Sequence, residues 1–168
     1  MAFSGKLTAA LQATLTGPLD LSTPVDPLDF SKIFDFATGT GTTSGNADMS
    51  WHDTRTLTAS ATENLDLAGS LTNAFGTTQT FARIKAVIVF AAVANTNNVN
   101  VIREGTNGVP LFLAAGDGVP VLPGGVFVWV APAAGVAVTA GTGDLLTFTN
   151  SAGSTSVTYS IIVIGASA

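Results

Sequence analysis

The chain has no cysteine and one histidine, and only 10% of its 168 residues are charged. Without cysteine there are no disulfides and no thiolate metal ligands. A single histidine leaves any metal site dependent on oxygen donors. An average globular protein carries about 25% charged residues, which give it a mixed ionic surface in water. A surface this poor in charge must be coated in Thr, Ser, Asn and Gly or lie against other subunits, and both are expected here. Long apolar runs are missing too. The longest, Ala86 to Ala94, has nine residues, against about 20 for a spanning helix. The stretch Val119 to Ala140 is broken by Pro120, Pro123, Gly124, Gly125, Pro132 and Gly135. No membrane partner is expected. The N-terminal residues lack the continuous apolar segment of a secretion signal, so secretion is not expected either.

The formal net charge is −5, which disfavours nucleic acid as a partner. The charge is uneven. Residues 1–66 hold eight acids and three bases, whereas residues 67–168 hold three of each.

What is present is β-forming. Thr, Val, Ala and Gly dominate, while Glu, Lys, Arg and Gln are scarce. From Lys6 to Thr16 the apolar residues Leu7, Ala9, Leu11, Ala13 and Leu15 fall at every second position, which reads as a strand; a short helix is the alternative, since Ala and Leu favour it. Residues 18–29 carry three prolines and three aspartates and read as an extended connector, an arm lying on a neighbour. Ile33, Phe34 and Phe36 belong to the next strand, and Gly39 to Asn46 to a polar loop. Further on, Arg83 and Lys85 alternate with Ile84 and Ala86 and are expected to pair with acids of the first part. The run Val87 to Val93 that follows suggests a strand buried on both faces. Asn107-Gly108, Asp117-Gly118 and Pro123-Gly124-Gly125 mark turns. The last strand sets Val157, Tyr159, Ile161 and Val163 on one face. Strands spaced by about 8–12 residues predict an antiparallel β-sandwich of jelly-roll type. The expected organisation is an N-terminal strand and Pro-rich arm, residues 1–29, followed by a sandwich domain, residues 30–168.

Catalytic chemistry finds little support. His52 sits beside Asp53, but neighbours on a strand point to opposite faces. There is no Gly-x-Ser-x-Gly elbow for a nucleophile. Residues Gly39 to Gly45 lack the lysine of a phosphate loop. Asn95, Asn97, Asn98 and Asn100 include no carboxylate for calcium and read as a turn; Asp26 with Asp29 is the other calcium candidate. Glu63 and Asp66 are neighbours, Glu104 is remote, and nothing marks them as an acid–base pair. Trp51 and Trp129 offer a sugar-stacking platform, but packing is the preferred use. The expectation is a non-enzyme without catalytic residue, cofactor or metal. Contact residues are expected at Leu19, Leu21, Pro24, Val25, Pro27 and Trp129.

Several phrases of the chain resemble a family of small virion structural proteins of tailed bacteriophages. They are residues 3–24 (FSGKLTAALQATLTGPLDLSTP), 53–76, 81–99, 123–132 (PGGVFVWVAP), 138–150 and 156–167. The resemblance implies a capsid decoration, or cement, protein acting in the virion after assembly in the host cytoplasm. Its partners would be copies of itself, as a homotrimer, and the major capsid protein. A tail or fibre component with receptor or glycan binding is the other role it implies. Apolar β-domains with an arm suit a protein that adds interface rather than a reaction.

Overall fold

The computed structural model describes residues 2–168. All its regular elements are strands. In chain order they are β1 (Ser4–Thr16), β2 (Val25–Thr38), β3 (Asn46–Ala47), β4 (Met49–Leu57), β5 (Thr62–Asp66), β6 (Leu71–Thr72) and β7 (Thr78–Gln79), then β8 (Arg83–Ala91), β9 (Val99–Arg103), β10 (Gly118–Val121), β11 (Val126–Val130), β12 (Val136–Ala137), β13 (Leu145–Asn150) and β14 (Val157–Ala166).

Two antiparallel sheets make the body. One has the order β10-β9-β13-β5. The other has the order β11-β8-β14-β4, with β12 also pairing β8. Alternation decides which side chains meet between them. On β14, Val157, Tyr159, Ile161 and Val163 are fully buried. They face Val99, Val101, Leu146 and Phe148, also fully buried, in one continuous core. The rings of Phe148 and Tyr159 stack with centroids 4.4 Å apart. Burying one such aliphatic side chain stabilises the fold by roughly 1.5–3 kcal/mol.

A bulge interrupts the β8–β14 ladder. Ala86 pairs Ile164 and Ile84 pairs Gly165, so Lys85 has no opposite number. The extra residue re-aims the strand: Ile84 and Val87 both join the main core, while Ala86 joins a second, smaller cluster. The approach of the strands there requires a glycine. A Cβ on Gly165 would lie 2.7 Å from Phe81 Cδ1 and closer still to the Arg83 carbonyl.

β1 and β2 pair over 13 residues, Ser4 with Ala37 through Thr16 with Val25. Only the base of this hairpin touches the body. Leu7 and Phe36 pack with Ala47 and Ala86, flanked by half-buried Phe34, Ile88, Val130 and Ile164. Two parallel pairs to β3 anchor the same end.

Two expectations change here. The segment read as a connector up to residue 29 already belongs to a strand at Val25, so the 29/30 boundary falls inside β2, and the arm is a two-stranded ribbon that includes residues 30–38. Proline and aspartate read as loop, but one edge of a free ribbon tolerates both. The strand part of the run Val87 to Val93 is buried on one face only: Val87, Val89 and Ala91 point inward, whereas Ile88 is half-buried and Phe90 exposed.

Candidate functional site

Four features outside the core carry chemistry or open apolar surface. The first is a cleft of about 460 Å³ beside β4, lined by Asp48, Trp51, His52, Asn73, Phe75 and Ser167 among others. Asp48 is already engaged there, accepting from the Ser167 backbone N–H at 2.8 Å and its hydroxyl at 2.5 Å. Among the described residues no hydrogen bond joins His52 to either of them. Trp51 is buried and donates its indole N–H to the Thr72 carbonyl at 3.2 Å. Trp129 faces the same interior from β11, in the same cross-strand row through Val87 and Val163. The two tryptophans therefore pack on the core and form no exposed platform.

The second is an ionic cluster joining the sheets where their edge strands β4 and β5 meet. Arg55 Nε lies 2.7 Å from Glu63 Oε2, and Arg55 Nη1 lies 2.9 Å from Asp53 Oδ2. The buried Tyr159 hydroxyl donates to Glu63 Oε1 at 2.7 Å. Burial opposes the Arg55 charge, but Glu63 and Asp53 outweigh it and hold the guanidinium still more firmly protonated. Burial and the Glu63 carboxylate push the Tyr159 phenol upward. Asp53 and Glu63 thus serve this contact; period two already put Asp53 with Arg55 and away from His52.

The third is Lys85. Instead of pairing with an acid, it is fully buried and donates to the Thr43 carbonyl at 2.9 Å. Burial, reinforced by Arg83, lowers its pKa. Arg83 likewise donates to a carbonyl, that of Ala134, at 2.8 Å. Lys85 is the unpaired residue of the bulge, and the Gly39–Asn46 loop covers it, so that the Thr43 carbonyl takes the place of an acid. Nearby in character but not in space, the asparagine turn is structural. Asn95 clasps the backbone of Thr158 through both side-chain atoms, and Asn97 donates to Asn150. Asp66 accepts from the Ala68 N–H at 2.8 Å in a local turn. No group of three or more His, Asp or Glu that would hold a metal occurs among the described residues.

The fourth, and by far the largest, is the ribbon. Its register sorts the side chains into two faces. One face carries Leu7, Leu11 and Leu15 of β1 beside Phe34, Phe30 and Leu28 of β2. Beyond the anchored base these are open to solvent: Leu11 and Phe30 are each 56% exposed and Leu15 is 73% exposed. The other face is mainly polar, with Lys6 near Asp35, then Thr8, Gln12 and Thr14. The face that is buried at Leu7 and Phe36 continues onto the outer side of the body, where Ile88, Phe90, Val126 and Val128 are half-buried or exposed.

The expected contact residues divide accordingly. Leu19, Leu21 and Pro24 sit in the exposed tip of the ribbon, closed by the Leu19 N–H to Ser22 carbonyl bond at 2.9 Å. Val25 and Pro27 belong to β2, on its more polar face. Trp129 lies apart from them, half-buried on the core. Leu28 and Phe30, which extend the row of Phe34 and Phe36 along β2, were missed in the sequence. The period of two in this row is legible once the prolines are no longer read as ending the strand.

Comparison with protein-family models, with curated proteins and with solved structures finds no match to this chain. Function therefore rests on the residues themselves.

Proposed function

We propose that this chain is a structural subunit of a tailed-phage virion, a decoration protein that binds the head shell and its own copies through the ribbon. The observation that carries this reading is a 13-pair, two-stranded ribbon with one long apolar face uncovered. A lone hairpin is at best marginally stable in water. Residues that leave Leu and Phe exposed along a ribbon about 40 Å long make sense when another surface covers them. The low charge content, the uncovered strip at Phe90, Val126 and Val128 and the resemblance of the quoted segments to virion proteins support the same reading. The strand order supports the jelly-roll form of it. Apart from the β9–β10 pair, successive long strands of the body pass between the sheets, so that β4, β8, β11 and β14 share one and β5, β9, β10 and β13 the other. In this role the partners are further copies and the major capsid protein, and the location is the virion.

Quantitative mass spectrometry of purified particles tests the proposal. Many copies per head are expected, with loss of binding when residues 8–33 are replaced by an Asn-Gly turn. Unchanged binding by that trimmed chain would overturn it. A second reading, a tail or fibre protein that binds receptor glycans, is favoured by the His52 cleft, whose rim carries Phe75 at 78% exposure beside Asn73. Glycan-array binding that disappears in Phe75→Ala, with few copies per particle, would select it.

A further inference from the structure

We infer that the apolar face of the ribbon packs against the same face of a second copy, antiparallel, about a twofold axis between the Leu11/Phe30 and Ala13/Leu28 pairs. The inference rests on the assembly reading and names the occupant of that face.

The charge pattern decides it. Two ionic side chains interrupt the otherwise apolar face: Lys32, opposite Ala9, and Asp26, opposite Leu15. Both are on β2 and both are exposed. They are six residues apart, roughly 20 Å along a strand, too far to pair within one ribbon. From base to tip the cross-strand pairs are Leu7/Phe34, Ala9/Lys32, Leu11/Phe30, Ala13/Leu28 and Leu15/Asp26. Lys32 and Asp26 stand at equal distances on either side of the midpoint between Phe30 and Leu28.

A twofold axis through that midpoint, lying across the strands in the plane of contact, reverses one ribbon over the other and keeps β2 over β2. Lys32 then lies over Asp26 of the second copy, and Asp26 over its Lys32. Phe30 meets Leu28, and large residues meet smaller ones at the centre. Every charge on the face is matched by its opposite. A parallel threefold bundle would instead set three Lys32 ammonium groups at one level of an apolar seam and three Asp26 carboxylates at another, which like-charge repulsion penalises.

The β2 edge of the ribbon is guarded against strand addition. The Ala37 N–H bonds outward to the Gly45 carbonyl at 2.8 Å. Every second residue of β2 shares that direction, so Pro27 leaves this edge without a donor near the tip. The open part of the face, from Thr8 opposite Ile33 to Thr16 opposite Val25, is about 30 Å by 10 Å, so two such faces bury on the order of 600 Å² together, the size of a weak, concentration-dependent contact.

Sedimentation velocity of the full chain across micromolar to submillimolar concentrations tests the inference, with circular dichroism to confirm that each variant is folded. Wild type should shift from monomer to dimer. Lys32→Asp alone places acid over acid twice, and Asp26→Lys alone places base over base twice; each should weaken the dimer at least about tenfold. Mixed in equal amounts, the two variants should form a heterodimer, because each then meets its opposite at both places. The double variant, Lys32→Asp with Asp26→Lys, should dimerise like wild type. Failure of the mixture or the double variant to associate, or a trimer in place of a dimer, would overturn the twofold contact. If the chain stays monomeric while virion binding still needs residues 8–33, this inference falls and the assembly reading stands. If the ribbon is dispensable for virion binding as well, both fall.

Discussion

β1 and β14 are both long strands in which every second residue is apolar, yet their environments are opposite. Val157, Tyr159, Ile161 and Val163 of β14 are wholly buried, whereas Leu11 and Leu15 of β1 are more than half exposed. β14 lies between β8 and β4 and faces a second sheet; β1 has β2 for its one long partner, and beyond Leu7 its apolar face is exposed. An alternating pattern specifies that one face wants cover. It does not specify whether the cover comes from the same chain. In the body the chain supplies it, and the interior closes. Beyond the base of the ribbon it does not, and the same pattern is left open to solvent.

Substitutions on the two strands should separate these cases. Ile161→Asp puts an unpaired charge into the closed interior, which costs several kcal/mol out of a total of about 5–15 kcal/mol. The body should fail to fold, seen as lost circular dichroism and insolubility. Phe30→Asp on the ribbon, measured below the assembly concentration, should shift stability by no more than about 0.5 kcal/mol. Equal damage from both would mean that the ribbon packs on its own body.

Glu63→Ala breaks the clasp across the sheet edges and leaves the buried Tyr159 hydroxyl without its partner. A loss of about 1–3 kcal/mol is expected in urea unfolding, partly recovered in Glu63→Gln, which keeps an acceptor. No loss in the alanine variant would show that the cluster is ornamental to stability.

Lys85→Met removes a buried cation held by one carbonyl and should be neutral or stabilising by roughly 1–2 kcal/mol. The folded state lowers the Lys85 pKa, chiefly by burial. The unfolded chain therefore binds the proton more tightly, and stability rises as pH climbs from the lowered pKa toward the ordinary value of 10.5. Below the lowered pKa the full penalty applies. The gap between wild type and Lys85→Met should narrow between pH 7 and pH 10, and a gap that widens instead would reverse the assignment.

The smallest change in stability, within about 0.5 kcal/mol, is expected for Pro27→Val. Its effect should appear in association: restoring the outward N–H opens the β2 edge to strand addition. Thioflavin fluorescence should rise on storage, and a flat trace would remove the edge-guard role of this proline.

Much of the body was legible beforehand. Helix formers are scarce, turn dipeptides recur, and the last strand alternates cleanly, which is enough for an antiparallel sandwich with Ile161 in its core. The ribbon was half legible. Leu7 to Leu15 announced β1, but Pro27 and the three aspartates of residues 18–29 disguised the start of β2, because a strand free on one edge tolerates residues that a central strand rejects. The ionic cluster was not legible. Arg55, Glu63 and Tyr159 are joined only when the edge strands of two sheets meet, and no local spacing encodes that meeting. The partner of Lys85 was not legible for a related reason: Thr43, in the loop that covers it, lies 42 residues away in the chain, and the one-residue bulge beside Gly165 moves Ala86 off the face of Ile84.

By itself, then, the sequence determined the kind of element formed and the face of each strand that must be covered, because these follow from residue type and a period of two. The tertiary structure alone decided which faces the chain covers and which it leaves open, and that Lys32 and Asp26 stand symmetrically on one of the open ones. Pairing register joins residues far apart in the chain, and only the folded ribbon brings their charges into a common frame.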